Sequence, residues 1–160
     1  MSGSTLYDDD ILLWSEQQAA VIRKLGQTPH LVPNEFDIEN VAEEIESVGR
    51  SELASVKSYI RLILVHLIKL SVQSDAESAR HWRGEIAAFH SDLIGRYAPS
   101  MQQRIDLDGL WRSALKEMAI KSDGEENQHI ARLPAKSPYT IDELLAEDID
   151  GFDLMKRLRS

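Results

Sequence analysis

The feature that most constrains the fold is one long helical pattern between Asp37 and about Gln73. Apolar residues recur there every three or four positions, which places them on one face of an α-helix. This stripe contains Ile38, Val41, Ile45, Val48, Val56, Tyr59, Ile63, Leu67 and Leu70. From residue 59 to residue 70 the pattern is apolar nearly all round, so we expect this helix to be the central element.

Two residues interrupt the pattern. Gly49 lies inside it, but glycine costs only about 1 kcal/mol in a helix interior. One long, bent helix is therefore favoured over a break with a restart at Ser51. Glu52 lies on the apolar face, where a carboxylate must be paired or hydrogen-bonded. We expect Glu52 to be mostly buried and paired with a basic or backbone donor, at a point where Gly49 lets another helix approach.

The rest of the chain predicts shorter helices, and no stretch alternates convincingly with period two. The expected helices are one from about Asp9 to Leu25, one that follows a turn at 74–78 and ends near Tyr97, a short piece opening at Ser100, one capped by Asp106 or Asp108, and a short one from Thr140 to about Glu147. Residues 121–127 predict a loop or a frayed end, and about 149–160 could be a loosely attached tail. The predicted fold class is all-α: a single-domain helical bundle over residues 1–160, built around one long central helix, with short C-terminal helices.

Length and composition narrow the class of protein. The 160 residues suit one domain, and none of them is cysteine. The absence of cysteine excludes disulfides, thiolate zinc sites and cysteine nucleophiles, and it fits a reducing cytoplasm. The first residues lack the basic and apolar regions of a signal peptide. The most apolar run, 59–70, is shorter than the roughly twenty residues that a membrane span needs. We therefore expect a cytoplasmic protein without a membrane partner.

The chain is acidic, with a formal net charge of −9. Such a surface repels phosphate backbones, so no nucleic-acid partner is expected. The acidic residues concentrate between residues 35 and 52, and this acidic cluster includes Glu39, Glu43, Glu44 and Glu46. One interpretation is a solvated helix face, which acids near a helix N-terminus favour. The other is a docking surface for a basic protein partner.

No arrangement of residues specifies a metal, a cofactor or a known reaction. A di-iron bundle would need Glu-x-x-His pairs, and these are absent. The ligand pool considered for zinc is His30, His66, His81, His90 and Glu52, and His81 and His90 lie on opposite sides of their helix. No metal and no cofactor are therefore expected, and His66 is interpreted as a hydrogen-bonded histidine at a helix-packing seam.

Several runs of sequence, taken in order and at their spacing, resemble a bacterial helical family known as domain of unknown function 29. They are Trp14, DIENVAEEIESVGRSE, LVHLIKL, Trp82 within ARHWRGEI, APSMQQRI and SPYTIDELLAED. The resemblance covers about residues 6–148, and the run 37–52 followed by 64–70 is its most specific part. It implies an all-helical, single-domain fold and supplies no reaction, ligand or catalytic residue. Many relatives carry a Cys-Pro pair where this chain has Ser137-Pro138, so no thiol role carries over.

Two hypotheses about function follow. The first is a non-enzymatic helical interaction protein, a homodimer through the surface around residues 59–70, which docks a basic partner through its acidic helix. The alternative is an enzyme or a small-ligand or metal-binding bundle, with a site around Glu52, His66 and the pair Arg80 and Arg83. A pocket of several hundred Å³ with convergent polar groups would favour the alternative. A large exposed apolar patch or a symmetric interface would favour the interaction protein.

Overall fold

The computed structural model describes residues 3–72 and 75–159, and within these ranges the regular structure is entirely helical. The α-helices are α1 (Leu6–Asp9), α2 (Ile11–Leu25), α3 (Ile38–Val72), α4 (Ala76–Arg96), α5 (Leu107–Lys121), α6 (Gly124–Ala131), α7 (Ile141–Leu145) and α8 (Gly151–Met155). Short 3-10 helices cover Pro29–Leu31, Pro99–Arg104 and Lys156–Leu158. The all-α prediction is confirmed, and none of these helices is long and apolar enough to cross a membrane.

The long helix predicted from the sequence is present as α3, which is continuous through Gly49. Its predicted end at Gln73 lies outside the described residues. The chain groups into two compact units, and the single domain stays a prediction. The first unit contains the described residues up to Ser55 together with Tyr97–Arg104. The second contains Val56–Arg96 together with the described residues from Ile105 onward. Because the division falls within α3, this helix contributes to both units.

In the first unit, Asp10 ends one helix and starts the next. Its backbone leaves the helical region, with φ −153° and ψ 86°, so α1 is separate from α2, and α2 is the helix that the sequence predicts from about Asp9 to Leu25. The buried Asp10 carboxylate accepts hydrogen bonds from the Leu13 N–H at 3.0 Å, the Ser100 N–H at 2.9 Å and the Ser100 hydroxyl at 2.6 Å. It therefore caps α2 and fastens the 3-10 helix Pro99–Arg104 to it.

The packing of α2 against α3 depends on Gly49. A Cβ atom at Gly49 would lie 3.1 Å from the Leu12 Cα and would collide with the Ser15 hydroxyl. Gly49, Leu12 and Ser15 are all buried. The expected close approach of another helix is therefore present, and that helix is α2.

The N-terminal part of the buried stripe of α3 is rotated from the predicted one, whereas Val56, Ile63, Leu67 and Leu70 are buried as predicted. Every seventh residue is buried, in the series Ala42, Gly49, Val56, Ile63 and Leu70. Val48 lies about 100° from Gly49 around the helix and is 45% exposed, so its predicted burial is wrong. Ile45 is half-buried, as is Glu52, which lies about 60° from Gly49. Glu52 is thus neither mostly buried as predicted nor exposed, and it is not without an interaction partner.

The second unit is built around the C-terminal half of α3, in which residues 63–68 are all buried. The fully buried side chains that surround this half come from α4, α5 and α7 and include Ile86, Leu93, Trp111 and Leu144. The indole N–H of Trp111 donates to the Pro134 carbonyl at 2.8 Å, so its one polar group is satisfied. The prediction of a long central helix is confirmed.

Helices α3 and α4 form an antiparallel hairpin whose register is visible in two contacts. The His66 Nε2 lies 2.5 Å from the Glu85 carboxylate, and the Lys69 ammonium lies 5.7 Å from the centroid of the Trp82 ring. The residue numbers of each pair add up to 151, as expected for a hairpin that reverses near residue 75. Helix α4 begins earlier than predicted because the Asp75 carboxylate accepts from the Ser78 N–H at 2.9 Å and caps its first turn.

The C-terminal part of the chain is more ordered than the sequence predicts. Residues 121–127 were expected to be a loop or frayed end, but Gly124, at φ +54°, reverses the chain after α5 and starts α6. The stretch from residue 149, considered as a loose tail, forms α8 and a 3-10 helix. These bury Gly151, Met155 and Leu158. A Cβ atom at Gly151 would lie 3.0 Å from the Ile86 side chain, so α8 packs directly on α4.

Candidate functional site

The second unit contains an open cleft of about 1050 Å³, which we call the cavity. It lies where α3 ends and α4 begins, and α6, α8 and the last 3-10 helix complete its wall. The residues that line it are Leu70, Ser71, Val72, Asp75, Ala76, Ala79, Arg80, His129, Phe152, Met155 and Arg159. Small-molecule sites in proteins typically occupy about 300–1000 Å³. The cavity therefore has room for a ligand of ordinary metabolite size.

One wall of the cavity is apolar. Leu70 and Met155 are nearly fully buried and form its floor, and Phe152 is half-buried beside them. The Phe152 ring is held from outside by the Arg83 guanidinium, which lies 4.7 Å from the ring centroid. Arg83 in turn pairs with Asp150. This aromatic side chain is therefore fixed by a cation–π contact and an ion pair rather than by apolar packing alone.

A serine and a histidine meet on the polar wall. The buried Ser71 hydroxyl donates to the Ile68 carbonyl at 2.7 Å, and the His129 Nε2 lies 3.0 Å from the same hydroxyl oxygen. When the hydroxyl donates its one proton to Ile68, the His129 tautomer that carries its proton on Nε2 donates to Ser71. Burial lowers the pKa of His129, and the charges of Arg132 and Arg159 lower it further. The neutral imidazole with its proton on Nε2 is therefore the form that fits this site at neutral pH.

Arg159 closes the C-terminal end of α3. Its Nη2 donates to the Leu70 carbonyl at 3.0 Å and its Nε to the Ser71 carbonyl at 3.3 Å. Carbonyls in the last turn of a helix have no partner within the helix, and a guanidinium there also complements the helix dipole. Arg159 thus has a structural role and at the same time places a positive charge on the cavity wall.

Asp75 and Arg80 bring opposite charges to the start of α4. The hydrogen bond from the Ser78 backbone is the main cause that lowers the pKa of Asp75, and the charge of Arg80 contributes in the same direction. Asp75 is therefore an ionised cap of α4. Arg80 is exposed and lies one turn further along the same helix.

Comparison with known proteins places the chain in a family. The family model described as "Domain of unknown function DUF29" matches residues 6–149. The chain belongs to the DUF29 family. A crystal structure of an α-helical protein of unknown function from Rhodospirillum rubrum is similar, with 32% sequence identity and a TM-score of 0.84. The match covers 98% of this DUF29 chain and 99% of that one. No curated protein matches. The comparisons establish family and fold and leave the function open.

The residues that the sequence predicts for a ligand or catalytic site are dispersed in this DUF29 protein. Arg80 lines the cavity. Arg83 does not line it but contacts the ring of Phe152, which does. His66 does not line it. His66 is buried, its Nδ1 lies 2.8 Å from the Leu62 carbonyl, and its Nε2 contacts Glu85. It therefore occupies a helix-packing seam, as interpreted from the sequence. Glu52 belongs to the first unit.

The acidic cluster of the DUF29 chain is largely engaged in ion pairs within the first unit. Arg23 on α2 lies 3.1 Å from Glu39, 3.7 Å from Glu43 and 2.9 Å from Glu46. Arg50 pairs with Glu43 and lies 3.8 Å from Glu46. Glu44 is exposed. Much of this charge therefore joins α2 to α3, and docking of a basic partner stays a prediction. Across the described residues, no group of three or more acidic or histidine side chains is arranged to hold a metal ion.

Sequence reasoning missed three polar residues of the cavity: Ser71, His129 and Arg159. His129 is not among the histidines that the sequence indicates as ligands, and the stretch before it predicts a loop. Arg159 was assigned to a loose tail. The available signal was the acidic pair Glu125 and Glu126 after Gly124, which is typical of a helix start. Recognising α6 would have placed His129 on a helix, although not beside Ser71.

Proposed function

We propose that this protein binds a small molecule in the cavity of its second unit. The observation that carries the proposal is the cavity itself, about 1050 Å³ lined by both apolar and fixed polar side chains. Sites for small molecules combine a mostly apolar wall with a few placed polar groups that set the orientation of the ligand. Here Leu70, Phe152 and Met155 supply the apolar wall, and Ser71 with His129 supplies the polar groups.

The hydrogen bonds around Ser71 support binding rather than catalysis. A serine nucleophile gives its proton to a neighbouring base as it attacks. In this site the Ser71 hydroxyl proton is donated to the Ile68 carbonyl, while His129 acts as a donor to the same oxygen. In this arrangement the pair fixes the cavity wall.

The interaction hypothesis has less support. The main observation behind it is the helix surface 59–70, which is apolar on nearly every side and would have to be buried against another protein surface. Most of this run is buried within the second unit by the chain itself, so a second copy is not required to cover it. The homodimer and the basic partner at Glu39, Glu43, Glu44 and Glu46 remain proposals of lower rank.

The test is thermal unfolding in a chemically diverse set of small molecules, with one variant that fills the cavity. Ala79 lines the cavity and is half-buried, so Ala79→Phe should occupy part of the ligand volume. Ala88→Phe is the matched control, because Ala88 lies on the same helix, is exposed and does not line the cavity.

We expect some compounds to raise the unfolding temperature of the wild type and of Ala88→Phe, because a ligand at about 100 times its Kd stabilises a protein by about 2.7 kcal/mol. The same compounds should have little effect on Ala79→Phe. If no compound binds, or if binders stabilise Ala79→Phe as much as the wild type, the proposed function is wrong.

A further inference from the structure

Charge is unevenly distributed over the cavity wall. The chain as a whole has a formal net charge of −9, yet two arginines and one acidic residue line this cavity. The acidic residue, Asp75, already accepts hydrogen bonds from the first turn of α4. Arg159 is fixed on two carbonyls but keeps its positive charge. The wall is therefore locally positive on a negative protein, which favours an anionic ligand over a cationic one.

Two further features of the cavity favour an anion. The first turn of α4, a helix of 21 residues, lines it with Ala76 and Ala79. The N-terminal end of a helix carries a partial positive charge. The second feature is His129, whose neighbours Arg132 and Arg159 disfavour its protonation. A bound anion would offset that repulsion, so His129 could take up a proton when the anion enters.

We infer that the ligand is an amphipathic molecule with an oxyanion head group, a carboxylate or a phosphate, held between Arg80, Arg159 and His129. The inference rests on the proposed function and names the class of ligand. The head group would meet the charged wall, and the hydrocarbon body would cover Leu70, Phe152 and Met155. Arginine suits this role because its planar guanidinium matches the geometry of carboxylates and phosphates.

The inference can be tested with four probes that share one hydrocarbon chain and differ in their head group. They are octanoate, octyl phosphate, octan-1-ol and octylamine, each titrated into the full-length protein by calorimetry. We expect octanoate, octyl phosphate or both to bind, octan-1-ol to bind at least about tenfold more weakly, and octylamine to bind most weakly. The comparison of octanoate with octyl phosphate identifies which oxyanion is preferred.

Two arginine variants test whether Arg80 recognises the head group of the probe. Arg80→Gln should weaken binding of the anionic probe by roughly tenfold to a hundredfold, because a charge-assisted hydrogen bond is lost. Arg112→Gln is the control, since Arg112 is an exposed arginine of the same unit that does not line the cavity. It should leave the affinity unchanged. Arg159 is not used as a test because its loss would also remove the cap of α3.

Binding of octanoate should also be linked to protonation of His129. The titratable and charged groups around this histidine are Arg132 directly after α6, Arg159 after the last 3-10 helix, Asp75 directly before α4, and Arg80 on α4. Since the pKa of His129 is lowered in the free protein and the anion would raise it, the complex takes up a proton. Affinity should therefore rise as the pH falls below neutral, and His129→Gln should remove most of this dependence.

The outcomes distinguish this inference from the proposed function. If octan-1-ol or octylamine binds as tightly as octanoate, or if Arg80→Gln binds octanoate like the wild type, the ligand class is wrong. The proposed function then still stands if Ala79→Phe abolishes that binding. If the diverse compound set yields only neutral or cationic binders that Ala79→Phe excludes, the inference fails and the cavity remains a binding site. If Ala79→Phe leaves the binding of every probe intact, both fail.

Discussion

The substitution Gly49→Ala tests the packing of α2 on α3 directly. The added methyl group would lie 3.1 Å from the Leu12 Cα and would collide with the Ser15 hydroxyl. Leu12 and Ser15 are fully buried, and the Ser15 hydroxyl donates to the Leu12 carbonyl at 2.8 Å. Rotation of the Ser15 side chain relieves only its own overlap; the Leu12 Cα belongs to the backbone, so the two helices must move apart by a few tenths of an ångström.

The size of the effect is the difference between two opposing contributions. Replacing glycine with alanine inside a helix stabilises it by about 1 kcal/mol. Overpacking a well-packed contact costs about 1–3 kcal/mol, and a backbone contact belongs near the upper end of that range. Gly49→Ala should therefore lower the free energy of unfolding by about 1–2 kcal/mol.

Gly84 provides the control for this prediction. It lies inside α4, and a Cβ atom there would have no neighbour within 4 Å. Gly84→Ala should raise the free energy of unfolding by about 0.5–1 kcal/mol, since only the helix propensity changes. Urea denaturation followed by far-UV circular dichroism measures both variants. In a Ser15→Ala background the cost of Gly49→Ala should shrink without vanishing, because the contact with Leu12 remains. If Gly49→Ala is as stable as the wild type or more stable, the close approach of α2 is wrong.

Three further predictions concern stability and assembly. Ile63→Ala should lower the free energy of unfolding by about 2–5 kcal/mol, because Ile63 is fully buried in the second unit; a loss under about 0.5 kcal/mol would contradict its place in the core. Burial of Asp10 opposes its ionisation, but the hydrogen bonds from Ser100 and from the first turn of α2 outweigh it, and the net pKa is lowered. The stability that the ionised Asp10 contributes is therefore present at a pH above 3.8, the pKa of Asp10 in the unfolded chain, and it is lost as the pH falls through the lower pKa of the folded protein. In urea denaturation, the loss of unfolding free energy caused by Asp10→Asn should shrink between pH 6 and pH 2. A loss that stays constant over this range would show that ionisation plays no part. The homodimer stays a prediction: light scattering at tens of micromolar should give about twice 18.1 kDa, and a particle of 18.1 kDa would refute it.

The course of α3 was predictable from the sequence, but the exact direction of its buried face was not. The pattern of large apolar residues predicts that Val48 lies on the buried face of α3, but Val48 is 45% exposed. The buried series passes through Ala42 and Gly49, two small residues that a count of apolar size overlooks. Gly49 is buried because its missing side chain lets α2 come close. A glycine that looks like an interruption is therefore part of the interface.

The contact between His66 and Glu85 was within reach of sequence reasoning. The hairpin reverses near residue 75, and an antiparallel register about that point pairs residue 66 with residue 85 and residue 69 with residue 82. The sequence predicts that His66 is hydrogen-bonded at a helix-packing seam, and this register identifies Glu85 as its partner. In the structure Glu85 also lies 3.3 Å from the exposed His81, so one carboxylate bridges a buried and an exposed histidine.

The cavity could not be predicted, for a reason that lies in how its wall is assembled. Its residues come from the junction of α3 and α4, from α6 and from the last residues of the chain, which are far apart in sequence. They meet because Gly151 lets α8 press against Ile86 and because Arg159 caps the end of α3. Neither contact leaves a periodic pattern, since one depends on a missing side chain and the other on backbone carbonyls. A helical pattern reports which face of a helix is buried, whereas the cavity depends on where the ends of four helices meet. The residues that hold those ends together, Gly151 and Arg159, are therefore also the ones that decide whether the cavity keeps its shape.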